Sequence, residues 1–322
     1  MFSAVVAVIV GLAVLLWSAD KFVEGASAAA DYAGVSPLLI GMLIVGFGTS
    51  APEFVVSVSA ALNGNPSIAI GNAYGSNIVN IALILGLTAL IKPIRVKSGI
   101  LKKELPILTG ITLISFYFIY DLNIKRYESA LILGLFIIIV VWGIIEDRKN
   151  SADNLNKEME EKLESNNLSL FKALFFLTAG LVLLIASSKV LVWGALVITQ
   201  KTGISDLMAG LTIVAIGTSL PELASSLAAI KRGSHDIALG NVIGSNMFNT
   251  LGVTGTAFLI HPSAISKDVI IRDFPVMFFL TIMVFVVGFG FKNQGRINRF
   301  EGFFLLSVYI LYLLLLIYQT IL

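Results

Sequence analysis

Ten stretches of apolar residues run through this chain with almost no charge inside them, near 2–29, 36–62, 68–91, 104–120, 127–146, 170–199, 205–230, 237–260, 270–290 and 300–321. A helix needs about 20 mostly apolar residues to cross roughly 30 Å of hydrocarbon, so each stretch predicts a transmembrane helix. Composition agrees: 57% of the 322 residues are hydrophobic and 13% are charged, against about 25% charged in soluble domains. A water-soluble globule could not hide that much apolar surface. A soluble enzyme, a nucleic-acid binder and a disordered adaptor are therefore excluded. With no cysteine there is no disulfide framework and no thiolate metal site. His235 and His261 are too few for a histidine-rich centre. Small residues follow the first apolar run, as in a secretory signal peptide. That run lacks a positively charged start and has a mid-chain counterpart, so it reads as a retained helix.

Basic residues set the expected orientation. With the N-terminus outside, the inner loops (92–103, 148–172, 231–232 and 292–299) hold 15 lysines and arginines. The outer loops hold 5: Lys125, Arg126, Lys201, Lys267 and Arg272. Both termini are therefore expected outside, and the polar linker inside.

The chain also repeats itself. At an offset of 169, residues 48–80 lie over 217–249 with 16 of 33 positions identical. Gly48-Thr49-Ser50-Ala51-Pro52-Glu53 meets Gly217-Thr218-Ser219-Leu220-Pro221-Glu222, and Gly75-Ser76-Asn77 meets Gly244-Ser245-Asn246. Each half holds five spans, an odd number, so the second must enter the membrane inverted. The expected fold is an all-α polytopic membrane protein of ten transmembrane helices in two inverted five-helix repeats. These cover 1–146 and 170–322, with repeat motifs at 41–86 and 210–255 and a cytoplasmic linker at 147–169. Inverted repeats with a site between them near the midplane are a recurring transporter plan.

The best-matched positions are polar residues inside apolar helices. A carboxylate at the bilayer centre costs about 2.5–3.5 kcal/mol on insertion scales, yet Glu53 and Glu222 fall well inside predicted spans. Each follows a proline, which cannot donate to the carbonyl four residues earlier. Carbonyl oxygens near Thr49 and Thr218 are expected to be freed. Thr49, Glu53 and Ser57 share a helix face, as do Thr218, Glu222 and Ser226. Asn72, Ser76 and Asn80 form a second stripe, mirrored by Asn241, Ser245 and Asn249. Lone serines, threonines and asparagines in membrane helices are more often interhelical glue than ligands. Paired glutamates at symmetric depth are not. An all-oxygen cage of this kind suits a hard cation such as calcium, which takes about 6–8 oxygens.

At these residues the chain resembles the cation/calcium exchanger superfamily, in its prokaryotic sodium/calcium exchanger branch. The motifs GTSAPEFVVSVSAALNGNPSIAIGNAYGSNIVN and GTSLPELASSLAAIKRGSHDIALGNVIGSNMFN carry the likeness, and the duplicated layout extends it over nearly the whole chain. The resemblance implies a sodium/calcium antiporter of the plasma or inner membrane, not an enzyme. Calcium and sodium would be substrates in a lipid bilayer, with no cofactor, nucleic acid or obligate protein partner. It implies that Glu53, Glu222 and the carbonyls of Thr49 and Thr218 hold calcium. Ser50, Ser76, Ser219 and Ser245, with the carbonyls of Gly46 and Ala215, would hold sodium. Asn80 and Asn249 take the remaining central positions, and relatives carry Asp or Asn at the latter. Long first and sixth spans rich in small residues resemble the family's sliding gating pair.

Proton-coupled and potassium-dependent exchange stay open as alternatives. A channel fits poorly with two unequal half-sites in one chain. A hydrolase using Ser50 or Ser219 lacks a base within the motifs. The orientation is testable because the chain has no cysteine of its own. Single cysteines should react with an impermeant maleimide at position 155 only from the cytoplasm and at position 122 only from outside. The reverse pattern would invert the topology.

Overall fold

The computed structural model describes residues 2–64, 66–96, 100–158, 168–201, 215–288 and 295–321. Parts of the predicted linker (159–167), of the predicted seventh span and second motif (205–214), and of a predicted inner loop (292–294) lie outside the described residues. The chain begins with α1 (Phe2–Ala33) and the bent pair α2 (Pro37–Thr49) and α3 (Ala51–Leu62). Then come α4 (Ile68–Ile91), α5 (Leu105–Ile119) and α6 (Arg126–Glu158). The second half runs through α7 (Leu170–Lys201), the short α8 (Ala215–Thr218), α9 (Leu220–Lys231) and α10 (His235–Met247). It ends with α11 (Thr254–Ile260), α12 (Val269–Gly288) and α13 (Arg299–Ile321).

Among the described residues, six helices are long and apolar enough to cross a membrane, or seven if α2 and α3 are one span bent by 48°. This is a helical membrane protein, but length and apolarity alone do not reach the expected ten. The second expected span is broken at Ser50, the seventh lies partly outside the described residues, and the interior segments carry polar residues that only protein can satisfy.

The repeat in the sequence reappears in the backbone. π-helical turns occur at Val79–Leu85 and Phe248–Val253, and again at Ile100–Glu104 and Val269–Asp273, each pair at the sequence offset. Gly64 and Gly233 occupy matching turns at φ 78° and 80°, where a side chain would be strained. Short strands tie the halves together. Here β1 (Ile94–Arg95) pairs antiparallel with β4 (Arg296–Ile297), and β2 (Asn123–Ile124) pairs with β3 (Ser263–Ala264). The first ladder joins two of the loops grouped as inner by charge. A third follows, because Lys92 Nζ donates to the Ile230 carbonyl and the Arg95 amide donates to His235 Nδ1. The second ladder joins two of the loops grouped as outer.

Helix pairs approach closely where glycine removes the side chain. A Cβ on Gly180 would lie 2.8 Å from Phe22 Cα, and one on Gly194 would lie 2.8 Å from the Ala4 carbonyl, so α1 and α7 meet backbone to backbone. Both helices turn most of their apolar surface outward, with only 28% and 22% of their apolar windows buried against 72% for α4. A Cβ on Gly240 would meet the Leu38 carbonyl at 2.5 Å, and Gly244 lies against Met42. The equivalent Gly71 and Gly75 meet nothing within 4 Å among the described residues.

Asp20 and Glu24, in the second half of α1, are ion-paired with Arg232. The guanidinium reaches Asp20 at 2.8 and 2.7 Å and Glu24 at 2.9 Å. Asp273 is a further buried acid, in the first turns of α12. It accepts from Arg272 at 2.7 Å and from Tyr312 at 2.8 Å.

Gly240→Val forces a side chain into the α2 backbone and should cost about 1–3 kcal/mol or more. The readout is a lower thermal midpoint for the detergent-solubilised protein. Gly110→Val, at a position with open space, should leave the midpoint nearly unchanged. Equal midpoints for the two variants would contradict this packing.

Candidate cation site

Both glutamates sit just after a break in their helix. Helix α2 stops at Thr49, Ser50 takes φ −81°, ψ 9°, and α3 restarts at Ala51. Ser219 does the same at φ −91°, ψ 6° between α8 and α9. These angles lie in the sparsely allowed bridge region, common at functional sites. The sequence reading placed each proline inside an opened turn of one helix, whereas Pro52 and Pro221 instead begin new helices. A first-turn proline loses nothing, because its missing N–H had no helical partner there. Glu53 and Glu222 then fall in the first turns of α3 and α9, where the unpaired amides and helix dipole favour negative charge.

The two carboxylates are buried, at 0% and 1% exposure, and each is held by the opposite half of the chain. Ser50 Oγ donates to Glu222 Oε1 at 2.8 Å, and Ser219 Oγ donates to Glu53 Oε1 at 3.3 Å. The other oxygen of each carboxylate, Oε2, is buried and has no hydrogen-bond partner among the described residues. The same holds for Asn80 Oδ1 and for both Asn249 Oδ1 and Nδ2. Native proteins pair nearly all buried polar atoms, so these unpaired atoms are candidate ligand groups. Among the described residues no lysine or arginine is paired with either glutamate, and no group of three acidic or histidine side chains forms a metal cluster. The charge available is that of two carboxylates, which suits a cation surrounded by neutral oxygens.

Some of the remaining expected ligands connect to this pair through hydrogen bonds. Ser245 Oγ donates to the Gly46 carbonyl at 3.0 Å, and the Ser50 amide donates to the same oxygen at 3.1 Å. Gly46, Ser50, Ser245 and Glu222 thus form one connected group. Ser76 is buried one turn before Asn80. Ala215 and Thr218 bound α8, immediately before Ser219. Thr49 is fully buried, with its hydroxyl 2.9 Å from the Val45 carbonyl and 3.2 Å from Asn241 Oδ1.

Four residues of the polar stripes support the site from behind. Asn72 Nδ2 donates to the Glu53 carbonyl and to Ser57 Oγ, both at 3.0 Å. Asn241 Nδ2 donates to the Glu222 carbonyl at 3.0 Å and to Ser226 Oγ at 2.8 Å. These bonds staple each broken helix to the next one. One expectation fails in detail: the carbonyl freed by Pro221 is not open, because Ser188 Oγ on α7 donates to Gly217 O at 2.7 Å. Ser188 stands at the repeat position of Ala19, which has no hydroxyl to offer. Sequence comparison between halves therefore drew attention away from it. An aromatic wall also escaped notice, with Phe248 stacked on Phe47 at 5.0 Å and beside Phe54 and Phe136 at 5.7 and 5.8 Å.

Comparisons with known proteins agree on one group. The family model described as sodium/calcium exchanger protein matches residues 3–145 and 172–318. CaxA of Alkalimonas amylolytica is 45% identical over 313 residues, covering 97% of this chain and 98% of that one. MaX1, a sodium/calcium exchanger of Methanosarcina acetivorans, is 30% identical over 349 residues, covering 96% and 97%. The structure of the sodium-calcium exchanger NCX_Mj soaked with sodium and strontium superposes with a TM-score of 0.82 at 32% identity, over 96% of this chain and 97% of that one.

The geometry predicts what removing one charge does. Glu53→Gln or Glu222→Gln keeps the shape and one oxygen of the side chain but halves the negative charge. Calorimetric titration of either purified variant should show calcium binding weakened by at least about 100-fold, on the scale of a lost charged contact of about 3 kcal/mol. Unchanged binding in either would remove that residue from the site.

Proposed function

The chain belongs to the sodium/calcium exchanger family, and from that premise we propose that it exchanges Na+ for Ca2+ by alternating access at a midplane site formed by Glu53 and Glu222. One observation carries this reading: two buried carboxylates, each tied to a serine of the other half, each keep one oxygen without a partner among the described residues. In this reading Glu53, Glu222 and the carbonyls of Thr49 and Thr218 hold calcium. Ser50, Ser76, Ser219 and Ser245, with the carbonyls of Gly46 and Ala215, serve sodium beside it, and Asn80 and Asn249 complete the centre. The chain is read as ten helices in two inverted repeats, 1–146 and 170–322, in the cell membrane. Both termini lie outside, and the 147–169 linker lies in the cytoplasm.

The coupling follows from electrostatics. Both ions need the same two glutamates, so one must leave before the other binds. An empty site would carry two uncompensated charges through low dielectric, which costs several kcal/mol per ion, so reorientation requires a filled site. One calcium ion neutralises the pair. Three sodium ions, the number the family resemblance implies, leave a charge of +1, which makes the cycle electrogenic.

Asparagine at 249 supplies an oxygen without a third charge. Two carboxylates match calcium alone, so transport should need sodium and not potassium. The experiment is calcium-45 uptake into proteoliposomes under imposed sodium, potassium or proton gradients. Uptake should follow the sodium gradient, persist when choline replaces potassium, and carry a current that reverses with membrane potential. Uptake that collapses without potassium, or that follows a proton gradient alone, would replace this reading with one of the alternative couplings.

A further inference from the structure

An asparagine in a cation site can present either of two ends. Its Oδ1 can ligate a cation, whereas its Nδ2 only donates hydrogen bonds and repels one. Half a turn of the amide exchanges the two ends with almost no change in shape. Steric packing therefore cannot fix the choice, and a hydrogen bond must.

The structure holds one such bond. Asn80 Nδ2 donates to Asn246 Oδ1 at 3.0 Å, and both residues are buried. This leaves Asn80 Oδ1 as the end without a protein partner. We propose that Asn246 is a positioning residue that takes the amide hydrogens of Asn80 and so turns its oxygen to the cation, and that Asn77 does the same for Asn249. The inference rests on the cation-site reading above.

The second pair follows from the repeat, which places Asn77 over Asn246 and Asn80 over Asn249. In this pair the two atoms that would bond, Asn77 Oδ1 and Asn249 Nδ2, are both buried and unpartnered. Asn77 is itself set in one sense, because its Nδ2 donates to Thr250 Oγ1 at 2.7 Å and reaches Met277 Sδ at 3.4 Å. Its remaining end can only accept. The Thr250 position is Ile81 in the other half, so this anchoring of Asn77 has no symmetric copy. The two halves differ: Asn80 is held by its bond to Asn246, while neither end of the Asn249 amide has a partner among the described residues. A cation draws Asn249 Oδ1 toward itself, which directs the amide hydrogens to Asn77.

Aspartate offers oxygen at both ends and needs no orienting partner, which supplies the test. Calcium affinity is measured by calorimetric titration of the purified full chain. Asn246→Leu removes the acceptor at nearly constant volume and should weaken calcium binding about 10- to 100-fold, the usual cost of losing a ligand's orienting partner. In an Asn80→Asp background the same change should cost less than about twofold, the ordinary limit of non-interacting sites. Asn77→Leu should behave likewise, costly with Asn249 and nearly silent with Asn249→Asp. A merely structural role would cost the same in both backgrounds, so equal losses overturn the proposal, as does unchanged affinity in Asn246→Leu. Where the leucine variant does not fold, Asn246→Ala makes the same comparison. A parent protein that binds no calcium would instead overturn the cation-site reading, and this inference with it.

Discussion

The structure depends on two carboxylates buried where water cannot reach them. Ser50 bonds Glu222 and Ser219 bonds Glu53, so each half of the chain carries a charge that the other half helps to solvate. Neither half could bury its glutamate alone without leaving it short of partners, at a cost of several kcal/mol. This crossed pair explains why the helices break where they do. The bridge-region turn at Ser50 and Ser219 swings each serine across to the other half and starts a fresh helix whose N-terminal dipole faces the adjacent glutamate.

Around this centre the support is layered. Asn72 and Asn241 hold the glutamate backbones, and their hydroxyl partners Ser57 and Ser226 keep those amides oriented. Glycines at 240 and 244 let α10 lie directly on α2, which brings Ser245 to the Gly46 carbonyl. A single added methyl group at Gly240 would therefore be felt at the site as well as in the packing. At the outside of the molecule, α1 and α7 pack on each other through glycine and expose most of their apolar surface. Their polar ties to the rest include Arg232 with Asp20 and Glu24, and Ser188 with the Gly217 carbonyl.

The two halves are alike in backbone and unlike in detail. The second half has Ser188 where the first has Ala19, and Thr250 where the first has Ile81. Phe248 builds an aromatic wall where the first half has Val79. Each difference is one of local packing or hydrogen bonding laid over a shared frame. Exchange between two membrane faces needs such a frame, but nothing requires the two faces to be energetically equal.

The sequence by itself determined that the chain is a membrane protein, that it repeats at an offset of 169, and that Glu53 and Glu222 are its exceptional residues. Those conclusions rest on solvation cost and periodicity, which are local and additive along the chain. Only the tertiary structure decided which atoms of the polar stripes are satisfied and which are not. Ser57, Ser226, Asn72 and Asn241 share stripes with the expected ligands but are spent on one another. Asn246, to which the motif assigned no role, holds the amide of Asn80. The prolines' true position at the start of new helices was also hidden, because a proline tolerated at a helix start and one that opens a helix leave the same mark in a sequence. Hydrogen-bond pairing between residues more than 160 positions apart is set by how the halves meet. Helical spacing can place a side chain on a face, but it cannot say what stands opposite.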